Sequence, residues 1–99
     1  MPLNRREDLT MLFVTYWSVP QQNLKAAIAR FKESGGAPPP VNVKMIGRWH
    51  STDQTWGVTV SEANDASAMA AWSLQWSDLL TLDTNPVLDD ASAAKVLFG

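Results

Sequence analysis

The stretch from Thr10 to Val19 constrains the fold more than any other part of the chain. Its sequence, TMLFVTYWSV, is rich in β-branched and aromatic residues and is followed by Pro20, which is typical of a buried strand. Successive residues of a strand lie on opposite faces, and here both faces are apolar, one with Leu12, Val14 and Tyr16 and the other with Phe13, Thr15 and Trp17. The chain therefore needs a layer of structure on each side of this strand.

A helix and a hairpin are predicted after this strand. Pro20 lies in the first turn of the helix, which ends at Ser34-Gly35-Gly36 and has an apolar stripe formed by Leu24, Ala27, Ile28 and Phe31. The residues from Ala37 to Pro40 connect it to extended segments at Val43 to His50 and Trp56 to Glu62. The polar tract between these segments has the length of a hairpin loop, so the two strands are predicted to be antiparallel.

The remaining chain predicts a second helix, a fourth strand and a terminal helix. The second helix runs from about Asp65 to Trp76, is capped by Asp65 or Asn64, and has a stripe formed by Met69, Trp72, Trp76 and Leu79. The segment from Leu79 to Leu88 contains Pro86, which indicates a strand at or near a sheet edge. Asp89 and Asp90 begin a short C-terminal helix, because carboxylates are favourable at a helix N-terminus.

The order of these elements is β-α-β-β-α-β with a trailing helix. This order predicts an α+β, ferredoxin-like fold, in which a four-stranded antiparallel sheet carries both main helices on one face. We interpret residues 11–99 as a single domain and residues 1–10 as an N-terminal extension whose order the sequence leaves open.

Alternation along the strands assigns side chains to the two faces of the sheet. The face predicted to lie against the helices carries Leu12, Val14, Tyr16, Val43, Met45, Trp49, Trp56, Val58, Val60, Leu80 and Leu82. The other face carries Phe13, Thr15, Trp17, Lys44, Ile46, Arg48, His50, Thr59 and Ser61. That second face is too apolar at its centre to lie against water, so we expect a homodimer in which the sheets of two copies meet.

Composition and charge exclude several classes of function. The formal net charge is -2 with eight scattered Lys and Arg, so no nucleic-acid partner is expected. The chain has no cysteine and one histidine, so no metal site is predicted. It lacks a phosphate-binding glycine loop and a nucleophile-elbow motif, and no cofactor is expected. No apolar run fits a signal peptide or membrane span, so the expected location is the cytoplasm and no membrane partner is expected.

Two polar residues and a group of aromatic residues are the candidates for a functional site. His50 has a side chain that titrates near neutral pH and could act as a base, or could form a hydrogen bond to a loop or to the dimer mate. Arg48 could hold an anionic ligand, or could pair with Asp83 or Glu62. The aromatic candidates could line a ligand cleft between sheet and helices, or simply pack the core, and they are Tyr16, Trp17, Trp49, Trp72 and Trp76.

Three stretches resemble a family of small bacterial proteins recorded as a domain of unknown function of the dimeric α/β-barrel type. They are LFVTYW, the sequence GRWH from Gly47 to His50, and WSLQWSDLLTLDTNPVL from Trp72 to Leu88. The resemblance covers roughly Met11 to Leu97, and members commonly begin near the position of Met11. It implies the fold and dimerisation but no activity. Related dimeric α/β barrels include cofactor-independent oxygenases and haem-degrading or haem-dependent enzymes, which bind substrates in the cleft between sheet and helices.

Three functional hypotheses remain open from the sequence. The first is a module that binds a small molecule or a protein through the aromatic cleft or the dimer surface. The second is a cofactor-independent oxygenase or isomerase, with His50 as base and Arg48 holding an anionic intermediate. In the third, the protein acts by assembly alone and its tryptophans are structural.

Overall fold

The computed structural model describes residues 10–99 and contains every predicted element. Apart from Thr10, the predicted N-terminal extension lies outside the described residues. Strand β1 is Met11–Ser18, and a short 3-10 turn at Gln21–Asn23 leads into helix α1. In chain order the further elements are α1 Leu24–Glu33, β2 Val43–His50, β3 Trp56–Ala63, α2 Ala66–Leu74, β4 Thr81–Val87 and α3 Asp90–Phe98.

The four strands form one antiparallel sheet in the order β2-β3-β1-β4. The predicted ferredoxin-like α+β fold is therefore confirmed. So is the antiparallel pairing of β2 with β3. Strand β4 is an edge strand, as its Pro86 predicts, because proline has no backbone N–H to donate to a neighbouring strand.

Both helices that begin at an aspartate are capped as predicted. The Asp65 side chain accepts a hydrogen bond of 3.0 Å from the amide of Ala68, and Asp89 accepts one of 2.8 Å from the amide of Ser92. These bonds satisfy amides that have no partner within the helix. The hydroxyl of Ser67 and then the amide of Ala68 lower the pKa of Asp65, and the amide of Ser92 lowers that of Asp89. In the described chain, no helix is both long and apolar enough to cross a membrane.

The helix-facing side of β1 and β3 is opposite to the predicted one. Phe13, which is only 2% exposed, packs with the helices, and Thr15, Thr59 and Ser61 are buried on the same side. The prediction was wrong for β1 because both of its faces are apolar, so alternation could not choose between them. It was wrong for β3 because small residues lie under the large rings of β1 and α2. Gly57 shows this directly, since a Cβ there would overlap the indole of Trp17.

A β-bulge at Ile46 reverses the alternation within β2. Met45 is opposite Ser61 and Gly47 is opposite Val60, so Ile46 is an extra residue without a partner on β3. Val43 and Met45, before the bulge, pack on the helix side as predicted. After the bulge, Arg48 and His50 also lie on the helix side and Trp49 on the other. The prediction of the opposite arrangement assumed an unbroken alternation and is wrong.

Candidate functional site

A cavity of about 190 Å³ separates helix α1 from the sheet. The predicted apolar stripe of α1 forms one wall, but it does not fill a closed core, because Ile28 and Phe31 remain 52% and 37% exposed. The opposite walls come from the sheet and from α2, and the apolar side chains there are Trp17, Trp72, Trp76, Leu80 and Leu82. The sequence left open whether Trp72 and Trp76 pack the core or line a cleft. Both are buried in the core and also line the cavity.

Arg48 is a half-buried cation on the cavity wall, and it does not form the predicted carboxylate pair. Its Nη2 donates a hydrogen bond of 2.8 Å to the carbonyl of Gly36, and its Nη1 donates one of 3.1 Å to the carbonyl of Ala37. The guanidinium also lies 5.5 Å from the ring centre of Phe31. Within residues 10–99 the single ion pair joins Arg30 and Asp78. Burial lowers the pKa of Arg48, but a guanidinium remains charged at neutral pH.

The loop that meets Arg48 has an unusual backbone. Gly35, Gly36 and Ala37 all have positive φ, and the value of 48° at Ala37 is uncommon for a residue with a side chain. The amide of Gly36 donates to the carbonyl of Phe31, and the amide of Ala37 donates to the hydroxyl of Ser34. These bonds end α1 and turn two carbonyl groups towards the guanidinium. Sequence analysis identified the helix stop but missed this role for the two carbonyls.

His50 lies at the exposed rim of the same cavity, between two aromatic rings. Its ring centre is 5.3 Å from that of Trp17 and 5.5 Å from that of Phe31, in edge-to-face arrangements. Burial and then the charge of Arg48 lower its pKa, so the imidazole is neutral at pH 7. No carboxylate of the described chain forms a hydrogen bond with it. The carboxylate nearest to it in sequence, Asp53, instead accepts hydrogen bonds within its own loop from Ser51 and Thr55.

The structure brings five of the seven predicted site residues together. Arg48, His50, Trp17, Trp72 and Trp76 all line the cavity. Tyr16 and Trp49 lie on the opposite face of the sheet, so the prediction that they face the cleft is wrong for the reasons given above for β1 and β2. Whether any of these residues binds a ligand stays a prediction.

Sequence analysis missed several contributors to the cavity. Phe31 was named only as part of the apolar stripe of α1, although its ring contacts both Arg48 and His50. The buried hydroxyl groups of Thr15 and Thr59 were assigned to the other face. The sequence carried no signal for this placement, because hydroxyl side chains at alternate positions, such as Thr59 and Ser61 on β3, ordinarily indicate the side of a strand that faces water.

One ion pair fixes α1 against the end of α2. Arg30 donates hydrogen bonds of 2.7 and 2.8 Å to the two carboxylate oxygens of Asp78, and one of 3.0 Å to the carbonyl of Gln75. Its guanidinium lies 5.5 Å from the ring centre of Trp76. This contact holds α1 across the cavity from one end, as Arg48 holds the loop that follows α1.

The sheet face away from the helices is apolar and open. Tyr16, Ile46, Trp49 and Trp56 are each more than half exposed on it. Between them run the half-buried aliphatic side chains of Leu12, Val14, Val58 and Val60. Charged residues lie around this patch, with Lys44 opposite Glu62 on β2 and β3, and Asp83 on β4. We call this surface the open face.

The order of elements and the sheet topology define a small α+β protein with a ferredoxin-like fold. The chain belongs to the family described as Domain of unknown function (DUF3303), whose sequence profile matches residues 11–99. No curated protein matches it in sequence. Within residues 10–99, no group of three or more His, Asp or Glu side chains could hold a metal ion.

Solved structures are similar to this one at low sequence identity. An uncharacterised NIPSNAP-like domain protein from Burkholderia xenovorans is similar over 82% of this chain and 85% of its own, with 13% identity and a TM-score of 0.53. A variant of SnoaB, a cofactor-independent oxygenase from Streptomyces nogalater, is similar over 83% of this chain and 94% of its own, with 14% identity and a TM-score of 0.46. Likeness at this level concerns the fold alone.

Proposed function

We propose that this protein binds a small, flat, apolar molecule in the cavity between α1, α2 and the sheet. The observation that carries the proposal is an open cavity walled by three indoles, with Arg48 and His50 as its ionisable groups in the described chain. Binding sites for small molecules combine mainly apolar walls with a few placed polar groups. An apolar cavity of about 150 Å³ accepts benzene, so one of about 190 Å³ fits a single aromatic ring with a short substituent.

The same proposal includes a homodimer that forms through the open face. Three aromatic side chains and Ile46 leave a large apolar surface there, and soluble monomers rarely expose such a patch. A second copy is the occupant we propose, because the patch carries both signs of charge at its border and can therefore match itself across a two-fold axis. The cytoplasmic location expected from the sequence also stays a prediction.

A second candidate function is a cofactor-independent oxygenase or isomerase that uses the same cavity. It is favoured by His50, whose lowered pKa leaves a neutral imidazole able to accept a proton beside the cation of Arg48. In that reaction His50 would take a proton from a carbon acid, and Arg48 would stabilise the resulting anion. Turnover of a bound molecule that is lost in His50→Gln, with binding retained, would distinguish this candidate from simple binding.

Calorimetric titration with a neutral one-ring compound, benzamide, tests the binding proposal. Ala27 lies on the cavity wall and Ala26 is exposed on the same helix, so Ala27→Phe fills the cavity and Ala26→Phe is its matched control. We expect benzamide to bind the wild type and the control but not Ala27→Phe. Ile28→Trp, at a half-exposed wall position, repeats the test if Ala27→Phe fails to fold. Equal binding by all four proteins, or no binding by the wild type, would contradict the proposal.

A further inference from the structure

The charge distribution of the cavity is unbalanced. Arg48 is half-buried there, and the residues that line the cavity in the described chain include no Asp or Glu. Glu62 and Asp83 belong to the open face, and Asp53 is held by hydroxyl and amide groups of its own loop. A cation taken partly out of water without an anionic partner is unfavourable, and an anion brought by a ligand would relieve that cost.

The guanidinium is also held in a fixed position. Two of its N–H groups bond the carbonyls of Gly36 and Ala37, and the ring of Phe31 packs beside it. A guanidinium has five N–H groups, so donors remain for a further acceptor. Because the protein already orders this side chain, a carboxylate that binds it does not have to immobilise a flexible cation.

His50 adds a polar group to the cavity without adding a second charge. Its imidazole is neutral at pH 7 and can donate one N–H hydrogen bond at the rim. The cavity therefore combines a single positive charge, one neutral donor and indole walls. This combination matches a monoanion attached to one aromatic ring.

We infer that the ligand of this cavity is a small aromatic carboxylic acid, with its ring among Trp17, Trp72 and Trp76 and its carboxylate bound by Arg48. The inference rests on the proposed function, because it names the class of molecule bound at the same site. Charge-assisted hydrogen bonds between a guanidinium and a carboxylate are among the stronger polar contacts in proteins. They give the acid an advantage that a neutral compound of the same shape lacks.

The test compares benzoate with benzamide, which has the same ring and nearly the same shape but no charge. We expect benzoate to bind the wild type about tenfold more tightly than benzamide. Arg48→Gln should reduce the ratio of benzoate affinity to benzamide affinity to about one. Lys32→Gln is the matched control, because it removes one positive charge at an exposed position of α1 and should leave the preference unchanged.

The outcomes separate this inference from the proposed function. Equal binding of benzoate and benzamide by the wild type would overturn the inference and leave the cavity as a site for neutral molecules. Binding of neither compound would contradict both the inference and the proposed function. If Arg48→Gln fails to fold, the preference is measured on the wild type in increasing salt. The preference for benzoate should decrease as the salt concentration rises, because salt screens the attraction between Arg48 and benzoate but does not affect neutral benzamide. A preference that does not change with salt would contradict binding of the carboxylate by Arg48.

Discussion

The indole of Trp17 meets the imidazole of His50 edge-on, with ring centres 5.3 Å apart and ring planes at 70°. Both rings lie on the helix side of the sheet, whereas alternation along the strands assigned both to the other side. The contact places an ionisable ring against an apolar one at the rim of the cavity. A proton on His50 is therefore disfavoured by its surroundings and by the neighbouring charge of Arg48.

This contact predicts how stability depends on pH. In the unfolded chain His50 binds a proton near its ordinary pKa of 6.5, whereas in the folded chain its pKa is lower. The unfolded state then holds more protons, so stability falls as the pH decreases from about 6.5 towards the pKa of the folded state. Melting temperatures between pH 5 and pH 8 should show this slope.

His50→Gln supplies the control for that measurement. His50 is the one histidine of the chain, so replacing it should flatten the slope in this range. An unchanged slope in the variant would assign the pH dependence to other groups.

The two glycines of the β2–β3 hairpin should differ in their tolerance of a side chain. A Cβ at Gly57 would overlap the indole of Trp17 and approach the carbonyl oxygen of Trp49 to 2.5 Å, and that oxygen belongs to the backbone. A Cβ at Gly47 would meet only the far end of the Trp49 ring, which is exposed and can rotate. We expect Gly57→Ala to lower the melting temperature strongly and Gly47→Ala to lower it little, as measured by circular dichroism. Similar losses of melting temperature in both variants would show that overlap with the indole rings, and not with the carbonyl oxygen of Trp49, causes the destabilisation.

Charge placed on the open face should prevent association of two copies. Val58 lies on the inner strand β3, at the centre of the apolar patch, so Val58→Glu would bury a carboxylate without a partner in a dimer. We expect the wild type to sediment as a dimer at micromolar concentration and Val58→Glu as a monomer. Ala26→Glu adds the same charge to an exposed position of α1 and should leave the dimer intact. A wild type that sediments as a monomer would contradict the proposed dimer.

Replacement of Ser61 by alanine should stabilise the protein. It is fully buried on the helix side, and its hydroxyl has no hydrogen-bond partner among the described residues. Leaving a buried hydroxyl unpaired costs roughly 1–3 kcal/mol, so Ser61→Ala should raise the free energy of unfolding by about 1 kcal/mol. Urea unfolding measures the difference, and Ser77→Ala at an exposed position should produce no gain. A loss in Ser61→Ala would indicate that the hydroxyl is bonded to ordered water.

The order of elements could be predicted from the sequence because each signal for it is local. Proline and glycine delimit α1, aspartates begin α2 and α3, and the polar tract after His50 marks the hairpin. Arg48 and His50 could be identified as candidates because an arginine and a histidine inside a strand are unusual on any face. These inferences require only neighbours along the chain.

The faces of the sheet could not be predicted, because they depend on how distant elements fill space. Valines at 58 and 60 would ordinarily indicate the buried side of β3, yet the helix side is occupied by the large rings of Phe13, Trp17 and Trp72, which leave room only for small residues. The more apolar side of β3 is thus the one that the helices do not cover. The carbonyl groups that accept hydrogen bonds from Arg48 could not be predicted either, since every residue type has the same backbone carbonyl group.

The bulge at Ile46 makes β2 tolerant of a change in length at this one position. Ile46 has no partner on β3, so deletion of its codon would leave Met45 opposite Ser61 and Gly47 opposite Val60 and would restore plain alternation. Arg48 and His50 would stay on the helix side of the sheet, and Trp49 would stay on the open face. The side chains that β2 contributes to the cavity are thus set by their partners on β3, and not by their distance along the chain from Val43.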